Sequence, residues 1–227
     1  MSLSSHVAQN WLGFLRRLPS LFFGLFLWAV AIVANLHSNL GMNPWGVFHV
    51  GVANITPLSL GQAIQVVGVA VILLGWFMGF APGFGTFANM FFVGFFTDLI
   101  IAWDLIPVQV EIGRQFGLLM VSIVIMGIGS LFYLKAQLGA GPRDGLMIGM
   151  VKKLNKPVAY VRGAIEITAL TLGYFLGGPA GIGTLVTALT VGYSVQLFFK
   201  LGSFEAKSEQ MNLLELYRLL KNNKRRD

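Results

Sequence analysis

From residue 18 to residue 97 the chain carries no Lys, Arg, Asp or Glu. A water-facing surface cannot be built over such a length without charged side chains. At about 20 residues per crossing, two to three membrane spans fit inside this one interval. The rest of the chain agrees. Of its 227 residues 11% are charged and 56% hydrophobic, whereas soluble domains carry about 25% charged residues. Mean hydropathy is +0.74. The fold class that follows is an all-α polytopic membrane protein.

Six apolar segments stand out at 18–36, 60–80, 85–103, 116–134, 157–176 and 183–201. Pro57, Pro82-Gly83, Pro107 and Gly177-Gly178-Pro179 punctuate the gaps between them. Loop charge sets the orientation. With a cytoplasmic N-terminus, Arg16, Arg17, Lys135, Arg143, Lys152, Lys153, Lys156 and the tail cations from Lys200 to Arg226 all fall on the cytoplasmic side. The outer loops then hold one cation, Arg114, offset by Asp104 and Glu111. Six spans with both termini cytoplasmic, in the plasma (inner) membrane, is the expected topology. The net charge of +7 therefore reflects loop polarity, and no nucleic-acid partner is expected. No cleavable signal is visible in the first 17 residues, and the absence of Cys excludes disulfides and thiolate metal sites. The tail from Ser203 onward reads as one amphipathic helix, with Leu213, Leu216, Tyr217 and Leu220 at helical spacing. The organisation is a transmembrane domain over 1–204 and a cytoplasmic tail over 205–227.

The chain also repeats itself at a constant offset of 98. Leu40, Gly41, Pro44 and Gly51 recur as Leu138, Gly139, Pro142 and Gly149. "LGWFMG" at 74–79 faces "LGYFLG" at 172–177, "GFGT" at 83–86 faces "GIGT" at 181–184, and Val93-Gly94 faces Val191-Gly192. Two halves follow, 20–106 and 118–204. Each holds three spans, and three is odd. The second half then enters the membrane from the opposite side, which makes an inverted repeat.

Each half also holds a Gly-rich motif, a Pro and about ten apolar residues. Pro44 and Pro142 suit a first helical turn. The helices 45–54 and 143–152 are too short to span, at about 15 Å each. They are either interfacial or re-entrant. Re-entrant backbone survives only where it is buried or lines a cavity, and Asn35, Asn39, Asn43 and Gln137 stand ready to satisfy it. Half-helix N-termini would also suit an anionic group. The copy with Arg143-Asp144 is expected to face the positive cytoplasmic side, and the copy with Trp45 to face the outer interface.

The candidate substrate or ion-binding residues are Asn43, Trp45, His49, Asn89, Asp98, Arg143, Asp144, Arg162, Glu166 and Gln196. Asp98 lies in the outer half of the third span, where a carboxylate is either hydrated at the rim or serves a proton or cation relay. Its repeat mate is Gln196. His49 is expected to approach Asp98, or else to touch water at the interface. Arg162 and Glu166 share a helix face at i, i+4. They form a structural ion pair, Arg162 snorkels, or they recognise substrate charge. Their repeat mates, Ile64 and Gly68, are uncharged. Thr86 and Thr184 read as helix N-caps. Asn89, with mate Thr187, could line a cavity. Trp45, Trp76 and Trp103 read as belt residues, and Ala29, Ala31 and Ala34 or Gly68 and Gly75 as close-packing strips. There is no nucleophile–base signature, no HExxH and no Walker motif, and the three His fall at no metal-ligand spacing. The expectation is no enzyme, no cofactor and no metal.

"LGAGPRDGLMIG", its echo "LGMNPWGVFHVG" and the GxGT turns resemble the YczE-type branch of the YczE/YyaS/YitT group of small bacterial membrane proteins, over residues 15 to 202. In that family the first copy often reads Pro-Trp-Asp; here it is Pro44-Trp45-Gly46. The resemblance implies a membrane protein and points toward transport without naming a substrate. The expected function is a permease, a secondary transporter-like protein for a small polar solute, with alternating access at a midplane site. Two alternatives stay open: a substrate-binding subunit of an ATPase-driven vitamin-type importer, and a non-transporting scaffold whose tail recruits an enzyme. The expected partners are the bilayer and a small solute, and a two-fold homodimer is open to so small a bundle.

Overall fold

A computed structural model of the protein describes residues 11–205 and 210–223. Readings that touch 1–10, 206–209 and 224–227, His6 and the last tail cations among them, lie outside the described residues, as does the side chain of Leu220. Among the described residues there are nine helices and no strand: α1 (Trp11–His37), α2 (Pro44–Ile55), α3 (Leu60–Phe77), α4 (Phe84–Ala102), α5 (Ile112–Lys135), α6 (Pro142–Leu154), α7 (Val158–Phe175), α8 (Ile182–Leu201) and α9 (Leu213–Asn223).

Local chemistry sets the helix starts. Pro44 and Pro142 each open a short helix at its first turn, where a missing N–H leaves no bond unmade. Asn43 caps α2, its side-chain oxygen accepting from Gly46 N at 2.9 Å. Ser59 and Gln62 bond each other's backbone N–H at the start of α3. Thr86 and Thr184 do not occupy the N-cap as the sequence suggested. The caps are Gly83 and Gly181, and each threonine sits three residues on and accepts from the cap N–H at 3.0 Å. A side chain at the cap would collide with the loop packed on it. A Cβ on Gly83 would lie 2.6 Å from Leu138 O, and one on Gly181 2.5 Å from Leu40 O.

Five helices, α1, α3, α4, α5 and α8, are long and apolar enough to cross a membrane. The sixth expected span is α7, 18 residues long like α3 but carrying Arg162 and Glu166. Polarity runs inside out. Thr86, Thr97, Ser122, Ser130, Thr184 and Thr187 are buried, while Phe87, Phe91 and Phe95 form an exposed stripe down one face of α4. Such a surface suits lipid.

The central contact is α1 against α5, with Leu21, Leu25 and Leu119 fully buried around it. The helices meet where Gly24 faces Gly129. A Cβ on Gly24 would lie 2.4 Å from Tyr133 N and 2.8 Å from Gly129 O. Since lipid removes most of the hydrophobic drive between helices, close backbone approach carries the packing. Gly24→Val is therefore expected to destabilise the bundle by about 1–3 kcal/mol, the usual overpacking range. Gly117→Ala, where a Cβ meets nothing within 4 Å, should leave the thermal midpoint in detergent unchanged or slightly raised. Equal midpoints for the two variants would refute this account of the crossing.

Most of the remaining contacts come in pairs at the 98-residue offset, the α3–α4 contact being the large exception. Helix α2 lies on α7, and α6 lies on α3. Gly51 abuts Gly173, and Gly149 abuts Gly75. Gly183 N donates to Leu40 O at 2.7 Å, and Gly85 N donates to Leu138 O at 2.6 Å. The same offset pairs six of the nine left-handed residues among those described: Asn39 with Gln137, Gly41 with Gly139, and Gly79 with Gly177.

The tail differs from the single helix read in the sequence. Residues 210–212 form a non-helical strap before α9 begins. Gln210 Nε2 donates to Leu134 O, Met211 N to Gln137 O and Leu213 N to Pro82 O. Asn212 and Glu215 then cap α9 reciprocally. The strap thus joins the α5–α6 and α3–α4 loops at the end of the bundle richest in Lys and Arg.

Candidate functional site

A cleft of about 1390 Å³ enters the bundle from that basic end. Arg17, Lys152 and Arg162 line it together with Gln210 and Arg218 of the tail, and Trp28, Asn43, Pro44 and Trp45 line it too. Its wall includes Ile165 and Glu166 of α7 and Thr187, Val191 and Phe199 of α8. These two helices barely touch one another, whereas their counterparts α3 and α4 pack closely.

Two side chains hold the starts of the short helices in place. Asn43 N donates to Asn35 Oδ1 at 3.0 Å, and Gly141 N donates to Tyr133 Oη at 2.5 Å. Asn35 and Tyr133 are themselves 98 residues apart, so each half orients its short helix with a polar group from its first long helix. Tyr133 Oη also donates, over a long 3.4 Å, to Asp144 Oδ2.

Arg143, in the first turn of α6, places its guanidinium carbon 5.3 Å from the Trp28 ring centroid and 5.5 Å from that of Trp45. Arg143 and Trp45 are repeat equivalents. The sequence assigned Trp45 to the outer interface, and that assignment is corrected. Trp45 is 6% exposed, packed among Val67, Val71, Leu146 and Ala169, because α2 is covered by α3 and α7. Arg143 is turned inward against the two indoles. Trp76 and Trp103, by contrast, are exposed. Among the described residues no hydrogen bond or ion pair reaches the Arg143 guanidinium. Asp144, its neighbour, enters no ion pair there and has only the long Tyr133 contact.

The other candidates divide. Arg162 Nε donates to Glu166 Oε1 at 3.3 Å on the cleft wall, and both lie within electrostatic reach of Arg143. With Arg162 58% and Glu166 33% exposed, the pair adds at most about 1 kcal/mol to stability. His49 contacts Trp45 and Phe48 and lies within reach of Arg143. It has no contact with Asp98 among the described residues, contrary to the expected approach. Asp98 instead caps α3 from α4: Oδ2 accepts from Ser59 Oγ at 2.5 Å and Oδ1 from Gly61 N at 2.7 Å. A carboxylate on a helix N-terminus is favoured by the exposed N–H groups and the dipole, and this accounts for Asp98 without a relay. Gln196 is exposed and away from the cleft, and Asn89 sits against Gly141 and does not line the cleft. Sequence reasoning missed Trp28 and Tyr133. The signal for Tyr133 was its spacing of 98 from Asn35; nothing separated Trp28 from other apolar positions of the first span. No group of three or more His, Asp or Glu that could hold a metal ion occurs among the described residues.

Residues 15–200 match a family of unknown function, DUF6198. The chain is 30% identical over 191 residues to an uncharacterized protein of Haemophilus influenzae, covering 84% of this chain and 87% of that one. It is 31% identical over 173 residues to the uncharacterized membrane protein YczE of Bacillus subtilis, covering 75% and 80% respectively. The uncharacterized protein YyaS of the same organism is 24% identical over 188 residues, covering 77% and 88%. No solved structure matches.

Proposed function

The chain belongs to the DUF6198 family, and from that premise we propose that this multi-pass membrane protein is a permease for a small polar solute, with two inverted halves that alternate access to a shared site. The reading takes α7 as the sixth span and α2 and α6 as re-entrant half-helices. Two repeat-equivalent residues can touch only near the axis relating the halves, and Trp45 and Arg143 do so through the starts of their short helices. That favours a shared midplane site. Both termini are cytoplasmic in this reading, so the cleft opens inward.

The observation that carries the proposal is the unequal state of the two halves. Gly61 and Gly94 close α3 on α4 so tightly that a Cβ on Gly94 would lie 2.3 Å from Gly61 O. Their equivalents, Ala159 on α7 and Gly192 on α8, are exposed, and a Cβ on Gly192 meets nothing within 4 Å. One half is shut and the other parted, with the cleft between the parted pair. Exchange of these two states would move the opening to the other side.

The native chain has no Cys, so the pair Ala159→Cys and Gly192→Cys reports on α7–α8 closure alone. In proteoliposomes screened with pooled solutes, the unlinked double variant should exchange solute, a short bifunctional thiol linker should stop exchange, and a reducible linker should allow its recovery. Exchange that continues at full rate after quantitative linking rules out this closure. Purified protein that moves no solute under any ion gradient but co-purifies with an ATPase favours the importer-subunit alternative.

A further inference from the structure

Arg143 and Asp144 are adjacent, oppositely charged and both on the cleft wall, yet they form no ion pair with each other or with any other described residue. Each lies within electrostatic reach of opposite charge but has no partner at ion-pair distance. Arg143 lies at the start of a helix, where the dipole opposes a cation. Trp28 and Trp45 engage the guanidinium through their ring faces and, as aromatic rings, give its N–H groups no acceptor. The free N–H groups form a fork that fits a carboxylate. Asp144 Oδ2 receives only the Tyr133 hydroxyl at 3.4 Å, so its carboxylate keeps acceptor capacity for an ammonium group. Glu166, also on this wall, is already engaged by Arg162, leaving Asp144 as the acceptor nearest Arg143 in the chain.

We infer that the cleft takes a small zwitterion of the amino-acid type, its carboxylate on the Arg143 guanidinium and its ammonium on the Asp144 carboxylate. The inference rests on the permease reading for its biological sense but concerns binding alone. The chemistry of this adjacent pair supports it. A zwitterion brings one group to each of Arg143 and Asp144, whereas a simple anion leaves Asp144, and a simple cation leaves Arg143, without a partner at ion-pair distance. At membrane depth an unmet charge is costly, so a ligand bearing both groups gains on both.

The test compares ligands of one shape on the full chain in nanodiscs, read by calorimetry and by the change in tryptophan fluorescence, to which Trp28 and Trp45 contribute with three others. L-Alanine and L-phenylalanine are each set against the amide, which keeps the ammonium and loses the carboxylate charge, and against the 2-hydroxy acid, which does the converse. At least one amino acid should bind about 10- to 100-fold more tightly than either analogue, the range for a lost hydrogen bond to a charged group. Arg143→Gln should erase the preference for amino acid over amide, and Asp144→Asn the preference for amino acid over hydroxy acid. Arg143→Lys, which keeps the charge without the fork, should retain part of the first preference. The wild-type comparison decides the matter even if a variant fails to fold. Equal or tighter binding of the hydroxy acid or the amide, or no binding of either amino acid to folded protein, overturns the inference. Zwitterion binding without flux in liposomes would remove the permease reading and leave the site. Flux of a solute that is not zwitterionic would do the reverse.

Discussion

Gly41→Ala and Gly139→Ala are each expected to cost about 2–6 kcal/mol, a large share of the roughly 5–15 kcal/mol that holds an ordinary protein folded, read as a lowered thermal midpoint in detergent. Both residues have φ values, +100° and +129°, that L side chains rarely adopt, which costs about 1–3 kcal/mol. Neither can shift to relieve it. A Cβ on Gly41 would lie 2.5 Å from Gly181 N, and one on Gly139 2.8 Å from Gly83 Cα, backbone atoms of the opposite half in each case. Overpacking against backbone adds about 1–3 kcal/mol. Gly79→Ala is the control: its φ is +87° but a Cβ there meets nothing within 4 Å, so it loses the conformational share alone. Midpoints falling equally in Gly41→Ala and Gly79→Ala would show that the reciprocal loop-to-turn contacts do not join the halves.

Those contacts also explain what could be read from the sequence. The apolar segments, the two short helices and their opening prolines were legible because hydropathy, helix length and proline geometry are local. The 98-residue offset was legible because the loops of both halves make the same contacts, and the same contacts require the same residues: glycine at 41 and 139, threonine at 86 and 184. What depends on how two helices cross was not legible. Trp45 reads as an interfacial aromatic in any hydropathy profile, and only α3 and α7 lying over α2 bury it. Asp98 reads as an isolated intramembrane acid until the α3–α4 crossing brings Gly61 N to it. The tail strap had little signal, because apart from the Gln210 side chain its bonds run through backbone groups that every residue carries. The Arg143 seat was half legible. The break in the repeat at Arg143-Asp144 was visible, but its partner Trp28 lies 115 positions away in the chain.

That seat leads to the second large effect, in which two touching residues should respond with opposite signs. Arg143→Met is expected to raise stability by about 1–2 kcal/mol while ending solute binding. If α6 is re-entrant, as proposed above, Arg143 lies at membrane depth, where an arginine costs about 2.5–3.5 kcal/mol on insertion scales, and its place at a helix start adds some tenths more. Two indole faces return about 2 kcal/mol, and no carboxylate of the described chain contributes an ion pair. Methionine is unbranched and flexible enough to fill the space between the rings without exposing a charge. At 2–4 °C per kcal/mol for a chain of this size, the midpoint should rise by about 2–8 °C. Trp45→Ala removes a large side chain from a closed cluster and should cost about 3–5 kcal/mol, lowering the midpoint well beyond the rise seen with Arg143→Met. Both variants should lose exchange activity, so activity alone cannot separate a binding residue from a packing one; the opposed midpoints can. A fall in the Arg143→Met midpoint comparable to that of Trp45→Ala would make the guanidinium a strut between the indoles, and the case for a ligand at its free edge would lapse. A rise would mean that the chain retains a charge its fold is better without, which is the behaviour expected of a group kept for what it binds.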